Sequence, residues 1–377
     1  MAGPETAKPL ILVCAGGTGG HLFPAEALSV ALGQRGCIVD LVTDERAEKY
    51  GRAFPARATH MVASATVTSK NPLALARTLW TLGRGYMAAR KVVRVLQPKA
   101  VVGFGGYPTL PPMFAAVQLG VPTLIHDQNA VMGRANRQLS AKVTAIATSF
   151  PGVLDKDPTL AAKATFTGNP VRPMVLAAAD IPYDPPVAGG PFRLCVFGGS
   201  QGARVMSEIL PAALERLDPG LRARLLVVQQ ARGEDEAAVK AAYGRLGVEA
   251  EVAPFFVDLP GWIARSHLVI ARSGASTVAE LAVIGRPSIL VPLPHALDQD
   301  QLMNAATLAS AMAATVVRQA DFTPDWLAGE LTRIMADPSP LIAAAAAARG
   351  QGHADAADRL AELVLKTAGI APAGTAS

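Results

Sequence analysis

The residues best equipped for chemistry sit in short polar runs that follow apolar ones. LILVCAGGTGGH (10–21) and RLCVFGGSQGAR (193–204) each place a Gly-Gly-[Thr/Ser]-x-Gly turn directly after a strand-like run. Glycine there lets backbone N–H groups approach an anion closely. No Gly-Lys-[Ser/Thr] follows either turn, and neither has the G-x-G-x-x-G spacing, so both differ from nucleotide-triphosphate loops and dinucleotide fingerprints. One such turn reads equally well as a structural tight turn; two, opening matched halves, favour ligand contact. His21 follows the first turn at a helix start. A lone histidine is more often structural, but at a Gly-rich strand end a neutral imidazole is placed to take a proton from an attacking hydroxyl.

ARSGASTVAEL (271–281) makes a further strand-to-helix turn. Ser273, Ser276 or Thr277 is expected to cap that helix, whose positive end favours a diphosphate. Glu280 could accept two ribose hydroxyls, although alone it reads as an ordinary surface glutamate. PLPHALDQDQLMNA (292–305) is dense in groups that bond sugar hydroxyls. Its Asp298 and Asp300 match a divalent-cation pair only formally, because no other ligand cluster supports a metal. HDQNAVMGRANR (126–137) sets His126, Asp127, Gln128 and Asn129 past a strand end. TGNPVR (167–172) closes the first half on Arg172, whose planar fork suits a phosphate.

These runs need a scaffold, and the remaining pattern supplies one. Val-, Ile- and Leu-rich stretches at 10–15, 38–42, 100–103 and 123–126 read as strands, with helices at 24–34 and 110–119 between them. The pattern restarts at 193–197, 225–229, 268–271 and 288–291. Such alternation gives parallel sheets covered on both faces, and ligands bind beyond the carboxyl ends of their strands. The Pro- and Gly-rich stretch 180–191 resembles a linker. With 377 residues, half of them hydrophobic, the chain has material for two cores.

Charge is divided unequally. Residues 1–175 hold 19 Lys and Arg against 9 Asp and Glu, the remainder 16 against 21, and no acid occurs between Glu48 and Asp127. One half therefore faces something anionic: nucleic acid, phospholipid head groups or a pyrophosphate. NPLALARTLWTLGRGYMAARKVVRVLQPK (71–99) concentrates that charge beside an apolar and aromatic set. Gly83 and Gly85 are expected to break it into two helices. Trp80, Arg84, Arg90 and Lys91 suggest a surface for anionic lipid, against the plainer reading of domain-covering helices with basic outer faces. No apolar run reaches the ~20 residues of a bilayer span, and MAGPETAKP lacks a signal-peptide pattern. The three cysteines, Cys14, Cys37 and Cys195, form no metal spacing, and Cys14 and Cys195 read as buried reduced thiols.

In this order, GGTGGH, FGGYPTLPP (104–112), HDQN, TGNPVR, GGSQGA, RSGASTVAE and HALDQDQ…NA resemble one family. It is the bacterial UDP-N-acetylglucosamine–N-acetylmuramyl-(pentapeptide) pyrophosphoryl-undecaprenol N-acetylglucosamine transferase family. It makes lipid II from lipid I in peptidoglycan synthesis, and so serves cell-wall biogenesis, cell shape and division. The resemblance runs from about Lys8 to the C-terminal helix. It implies an α/β glycosyltransferase B fold of two Rossmann-like domains facing across a cleft. Residues 8–178 would meet acceptor and membrane, residues 190–350 would bind the UDP-sugar, and a helix at about 352–367 would return to the first domain.

Carried over by motif, Thr18, Gly19 and Gly20 border the donor sugar and Asn129 bonds it. Arg172 and Ser200 approach the diphosphate, with Ala275, Ser276 and Thr277 on the phosphate side and Glu280 on the ribose. Phe256 would hold the uracil through its backbone, where the family often has an aliphatic residue. Asp300 and Gln301 would hold sugar hydroxyls, where some relatives have Gln-Gln. Gly105, Gly106 and Tyr107 would meet the acceptor pyrophosphate. The implied reaction is a single inverting displacement giving a β-1,4 bond, with His21 as base and Asp127 as the alternative. The implied partners are UDP-N-acetylglucosamine, undecaprenyl-linked lipid I, the anionic cytoplasmic face of the inner membrane and other cell-wall synthesis proteins. Neither a cofactor, a metal nor a nucleic acid is called for.

Three other readings stay on the table. A UDP-N-acetylglucosamine epimerase shares fold and donor but wants acidic groups deep in its site. A nicotinamide oxidoreductase would use Asp44 or Glu45 on a ribose but lacks the glycine spacing. A non-catalytic anion- or membrane-docking module would release no UDP.

Overall fold

A computed structural model describes residues 8–45, 54–63, 72–199, 202–294 and 299–371. The chain divides into two compact units, Met1–Arg172 with Asp355–Ser377, and Pro173–Ala354. In the first, β1 (Leu10–Cys14), α1 (Gly19–Gln34), β2 (Ile38–Thr43), β3 (Ala58–Met61), α2 (Pro72–Leu96), β4 (Ala100–Gly103) and α3 (Leu110–Gln118) follow one another. Then come β5 (Thr123–Asp127), α4 (Arg134–Ser140), β6 (Ala145–Thr148), α5 (Pro158–Ala161) and β7 (Ala164–Phe166). The strands form one parallel sheet in the order β3-β2-β1-β4-β5-β6-β7.

Alternation along a strand explains why its residues are buried in unbroken runs. Ile11 and Val13 of β1 face the layer containing Leu28 and Leu32 of α1. Leu12 and Cys14 face the opposite layer, with Val93 of α2, Met113 of α3 and Leu139 of α4. Burial pushes the Cys14 thiol far up, so it stays protonated and inert.

The second unit runs α6 (Pro173–Ala179), β8 (Phe192–Phe197), α7 (Arg204–Glu215), α8 (Pro219–Arg222), β9 (Leu225–Gln230), α9 (Gly233–Leu246), β10 (Glu249–Ala253) and α10 (Leu259–Arg265). It continues with β11 (Leu268–Ala271), α11 (Ala275–Ile284), β12 (Ser288–Leu290), α12 (Asp300–Ser310), β13 (Ala314–Val316), α13 (Pro324–Ala336) and α14 (Ser339–Gly350). Its parallel sheet has the order β10-β9-β8-β11-β12-β13. The chain then returns: α15 (Ala356–Thr367) packs Leu360, Ala361, Val364 and Leu365 into the layer beside α1. Arg35 and Asp358 form an ion pair at 2.9 Å between the two helices.

Several local expectations need correcting. The first helix begins at Gly19, not Pro24, so Pro24 lies inside it and His21 is a first-turn residue. Helix α2 is continuous through Gly83 and Gly85. Gly85 serves close approach instead, since a Cβ there would sit 2.1 Å from the Ala63 carbonyl oxygen. The stretch 180–191 belongs to the second unit, where it is tied down. The Tyr183 hydroxyl donates to the His267 carbonyl at 3.0 Å, and the buried Arg286 donates to the carbonyls of Ile181 and Pro182.

Candidate functional site

Strand order sets β1, β4 and β5 side by side, so the loops leaving their carboxyl ends share one edge of the first sheet. Thr18 is the N-cap of α1, and its carbonyl accepts from the N–H groups of His21 and Leu22 at 3.0 and 2.9 Å. Its hydroxyl makes no cap; it lies 2.8 Å from His21 Nδ1. The loop after β4 passes the same imidazole through Gly105 and Gly106, at φ of 86° and 78°. A Cβ on Gly105 would stand 3.4 Å from His21 Cδ2 and Nε2, one on Gly106 3.5 Å from Cε1, and one on Gly16 3.5 Å from Nδ1. Three glycines thus frame a half-buried imidazole with bare backbone. Tyr107 opens a short 3-10 turn, Tyr107–Thr109, and packs on the apolar layer behind it.

Asp127, only 1% exposed, holds the third loop together. Its Oδ1 accepts from the Asn129 N–H at 3.2 Å, and its Oδ2 from the Gly133 N–H and Asn136 Nδ2, both at 2.9 Å. Burial raises its carboxyl above the usual range, against the pull of those bonds and of Arg137. His126 beside it is pushed down to about 4 by burial, although its bond to Gly168 works the other way. It is therefore neutral at physiological pH, with Nε2 donating to the Gly168 carbonyl at 3.1 Å and Nδ1 accepting from Gln128. Gly19 is buried, Gly20 exposed and Asn129 half-buried. Arg172 is 7% exposed, its guanidinium carbon 3.8 Å from the centre of the Phe23 ring on α1.

In the second unit β8, β11 and β12 are neighbours, and their exits carry the donor candidates. Gly198 donates its N–H to Gln230 Oε1 at 3.1 Å, and a Cβ on it would overlap Ala203 N at 2.1 Å, so this turn admits only glycine. Ser200 lies outside the described residues, as does Asp298. Helix α11 is N-capped by Gly274 with no side-chain bond, which corrects the expected serine or threonine cap. Ser273 Oγ instead donates to the Gln301 carbonyl at 2.8 Å, and Ser276 Oγ is buried without a partner. The helix therefore presents an unclosed positive end beside a spare hydroxyl, a ready anion seat.

Ala275 is buried and Thr277 half-buried in the same turn. Glu280 is 6% exposed, so it is no surface residue. Phe256 is buried, its ring edge-on to Trp262 at 6.4 Å. Asp300 opens α12 and accepts from the Gln301 N–H at 2.8 Å, while Gln301 Oε1 takes the Leu293 N–H at 3.0 Å.

Two organising residues escaped the sequence reading. Asn136 gives its amide protons to the His126 carbonyl and to Asp127, and lies 3.4 Å from the Cβ position of Gly105, joining two loops beside His21. Arg272 donates to the carbonyls of Val291 and Pro292, both at 3.0 Å, and to Gln319, fixing the exit of β12. A charged residue directly after a buried strand was the available signal for Arg272; nothing in the local pattern marked Asn136.

On α2 the exposed residues Trp80, Arg84, Met87, Lys91 and Val95 recur at helical spacing. Arg90 does not join them: it is half-buried, with its Nε enclosed. Among the described residues no helix is long and apolar enough to cross a membrane, and no group of three or more His, Cys, Asp or Glu is gathered to hold a metal.

Two parallel α/β units, each carrying Gly-rich strand exits and one an open helix end, are of the two-Rossmann-domain type found in glycosyltransferases. Residues 11–148 match the glycosyltransferase family 28 N-terminal domain and residues 193–360 its C-terminal domain. The chain is 61% identical over 362 residues to the UDP-N-acetylglucosamine–N-acetylmuramyl-(pentapeptide) pyrophosphoryl-undecaprenol N-acetylglucosamine transferase of Rhodopseudomonas palustris strain BisB18, covering 96% of each chain. The crystal structure of Acinetobacter baumannii MurG superposes with a TM-score of 0.74 at 29% identity, over 95% of this chain and 99% of that one. A UDP-GlcNAc 2-epimerase from Neisseria meningitidis, bound to UDP-GlcNAc, shares the fold alone. It has a TM-score of 0.66 at 13% identity, over 95% of this chain and 100% of that one. The chain belongs to glycosyltransferase family 28 and, within it, to the family of these N-acetylglucosamine transferases.

Proposed function

We propose that this protein moves N-acetylglucosamine from UDP-N-acetylglucosamine to the muramyl 4-hydroxyl of undecaprenyl-pyrophosphoryl-N-acetylmuramyl-pentapeptide, converting lipid I to lipid II. The observation that carries the reading is His21, an imidazole at a helix start framed by Gly16, Gly105 and Gly106. That frame lays bare backbone against the ring and puts a proton acceptor beside the strand exits. The acceptor oxygen bonds to the anomeric carbon, the bond from that carbon to the phosphate oxygen breaks, and UDP leaves with its electron pair. The hydroxyl proton passes to His21 Nε2. Attack from the face opposite UDP inverts the centre and gives the β-1,4 linkage.

The second unit holds the nucleotide. Charge growing on UDP is met by the open end of α11, Ala275, Ser276, Thr277, the Ser200 turn and Arg172; losing one such donor costs about 10²–10³ in rate. Glu280 takes the ribose and the Phe256 backbone the uracil. Asn129, Asp300 and Gln301 hold sugar hydroxyls, with Thr18, Gly19 and Gly20 along the sugar. Asp127, both oxygens engaged, keeps the Asn129 loop in shape rather than serving as base. Gly105, Gly106 and Tyr107 meet the acceptor pyrophosphate. The α2 stripe of Trp80, Arg84, Met87 and Lys91 rests on anionic lipid at the cytoplasmic face of the membrane. Arg90 lies off that stripe. UDP release measured with and without a lipid I analogue tests the whole. Release should need the acceptor and collapse in His21→Ala; a new sugar nucleotide formed from donor alone marks an epimerase, and normal turnover by His21→Ala removes the base.

A further inference from the structure

An N-cap threonine normally turns its hydroxyl onto the N–H of the second or third helical residue, a bond that steadies the helix end. Thr18 has the extended backbone of an N-cap, φ −125° and ψ 150°, yet makes no such bond. Its hydroxyl goes to the ring of His21, the third residue of the helix, at 2.8 Å from Nδ1. The helix end forgoes its cap, and the imidazole gains a fixed partner on one nitrogen.

Which nitrogen matters. A base working through Nε2 must carry its resting proton on Nδ1, and after taking the acceptor's proton it becomes a cation with N–H on both sides. In both states Nδ1–H needs an acceptor, and Thr18 Oγ1 stands there. The opposite tautomer, with Thr18 donating to Nδ1, would leave Nε2 protonated and unable to accept. The Cδ2–Nε2 edge is the one turned along Gly105.

We infer that Thr18 is a positioning residue for the transfer. Its hydroxyl holds His21 Nδ1 and so fixes the orientation of the ring, and it accepts from Nδ1–H in the imidazolium formed in the reaction. This rests on His21 being the base, and it gives Thr18 a role separate from any contact with the donor sugar.

Thr18→Val keeps shape and removes the acceptor; Thr18→Ser restores it. In the valine variant kcat is expected to fall roughly ten- to hundredfold, the effect of leaving one enclosed donor unpaired. KM for UDP-N-acetylglucosamine should change by a smaller factor than kcat. The acid limb of the kcat–pH profile should move to lower pH, because the imidazolium has lost a bond that favoured it. The serine variant should recover most of the rate. Full kcat with an unmoved acid limb in Thr18→Val overturns the inference, as does a loss confined to donor KM. If Thr18→Val does not fold, the wild type still decides: two-bond ¹H–¹⁵N spectra should show His21 protonated at Nδ1 and bare at Nε2, and the reverse tautomer refutes the role. A His21→Ala enzyme with normal turnover sinks the base assignment itself, whereas a dead His21→Ala beside an active Thr18→Val sinks only Thr18.

Discussion

A methyl group at Gly105 separates two costs that glycine usually hides together. Gly105 has φ of 86°, so alanine there pays about 1–2 kcal/mol for a left-handed backbone. Its Cβ would also stand 3.4 Å from His21 Cδ2 and Nε2 and from Asn136 Nδ2, an ordinary contact for a folded protein at rest. Catalysis is less forgiving, because the attacking oxygen must come within about 2.6–3.2 Å of Nε2 and would compete with the methyl for that edge.

Gly36→Ala is the control. Gly36 has φ of 79° and nothing within 4 Å of its Cβ position, and it lies just past the far end of α1, roughly 20 Å along the helix from His21. Both variants should lose about 2–8 °C in Tm. Only Gly105→Ala should lose kcat, by roughly 10²-fold, the lower range for a displaced general base. UDP release with a lipid I analogue, alongside thermal melts, reads both quantities. A Gly105→Ala enzyme within about threefold of normal, or an equal loss in Gly36→Ala, refutes the reasoning.

Other expectations follow from single observations. Ser276→Ala removes a buried hydroxyl with no partner, so the unliganded Tm should hold or rise while calorimetry shows UDP bound roughly tenfold more weakly; unchanged affinity dissociates Ser276 from the diphosphate. Replacing Trp80 with serine and both Arg84 and Lys91 with glutamine should cut binding to anionic vesicles about thirtyfold from the charges alone. Turnover of a short-chain soluble acceptor should survive; intact vesicle binding shows the stripe is misassigned. His126 is lowered from its ordinary 6.5 to about 4, so the unfolded chain takes its proton first. Its contribution is whole above pH 6.5 and drains away toward pH 4, roughly 3 kcal/mol in all. Denaturant melts at stepped pH should show a shallower acid slope in His126→Gln, and identical slopes dismiss the account.

Strands with four consecutive buried apolar residues, such as those around Val13, Val102 and Ile270, announce themselves, because both faces of a parallel sheet demand the same chemistry. The edge strand carrying His60 and the one carrying Glu251 do not. Their outward residues meet water, and Ala58–Met61 or Glu249–Ala253 has too little apolar periodicity to stand out. Helix α2 runs on through Gly83 and Gly85 because glycine in a helix is a local cost of only about 1 kcal/mol, and at Gly85 close packing against Ala63 requires it. The candidate site was legible where a polar residue follows a strand exit, as His21 and Asn129 do. It was illegible where one side chain ties two loops together: Asn136 and Arg272 act through contacts 9 to 47 residues away in sequence. The expected caps on α11 failed for a related reason. Ser273 found its partner in a distant carbonyl, and competition of that kind leaves no mark on a local pattern.

Packing α15 against α1 has a consequence for how the protein is born. The strip of α1 that will meet Leu360 and Val364 leaves the ribosome early, but its cover is translated only after the whole second unit. At bacterial elongation speeds that interval is about 15–65 s. Throughout it the nascent first unit trails a naked greasy flank, on the very helix whose opening turn bears the histidine. The half synthesised first is thus finished last, and any stall or truncation before residue 356 strands it in that unprotected state.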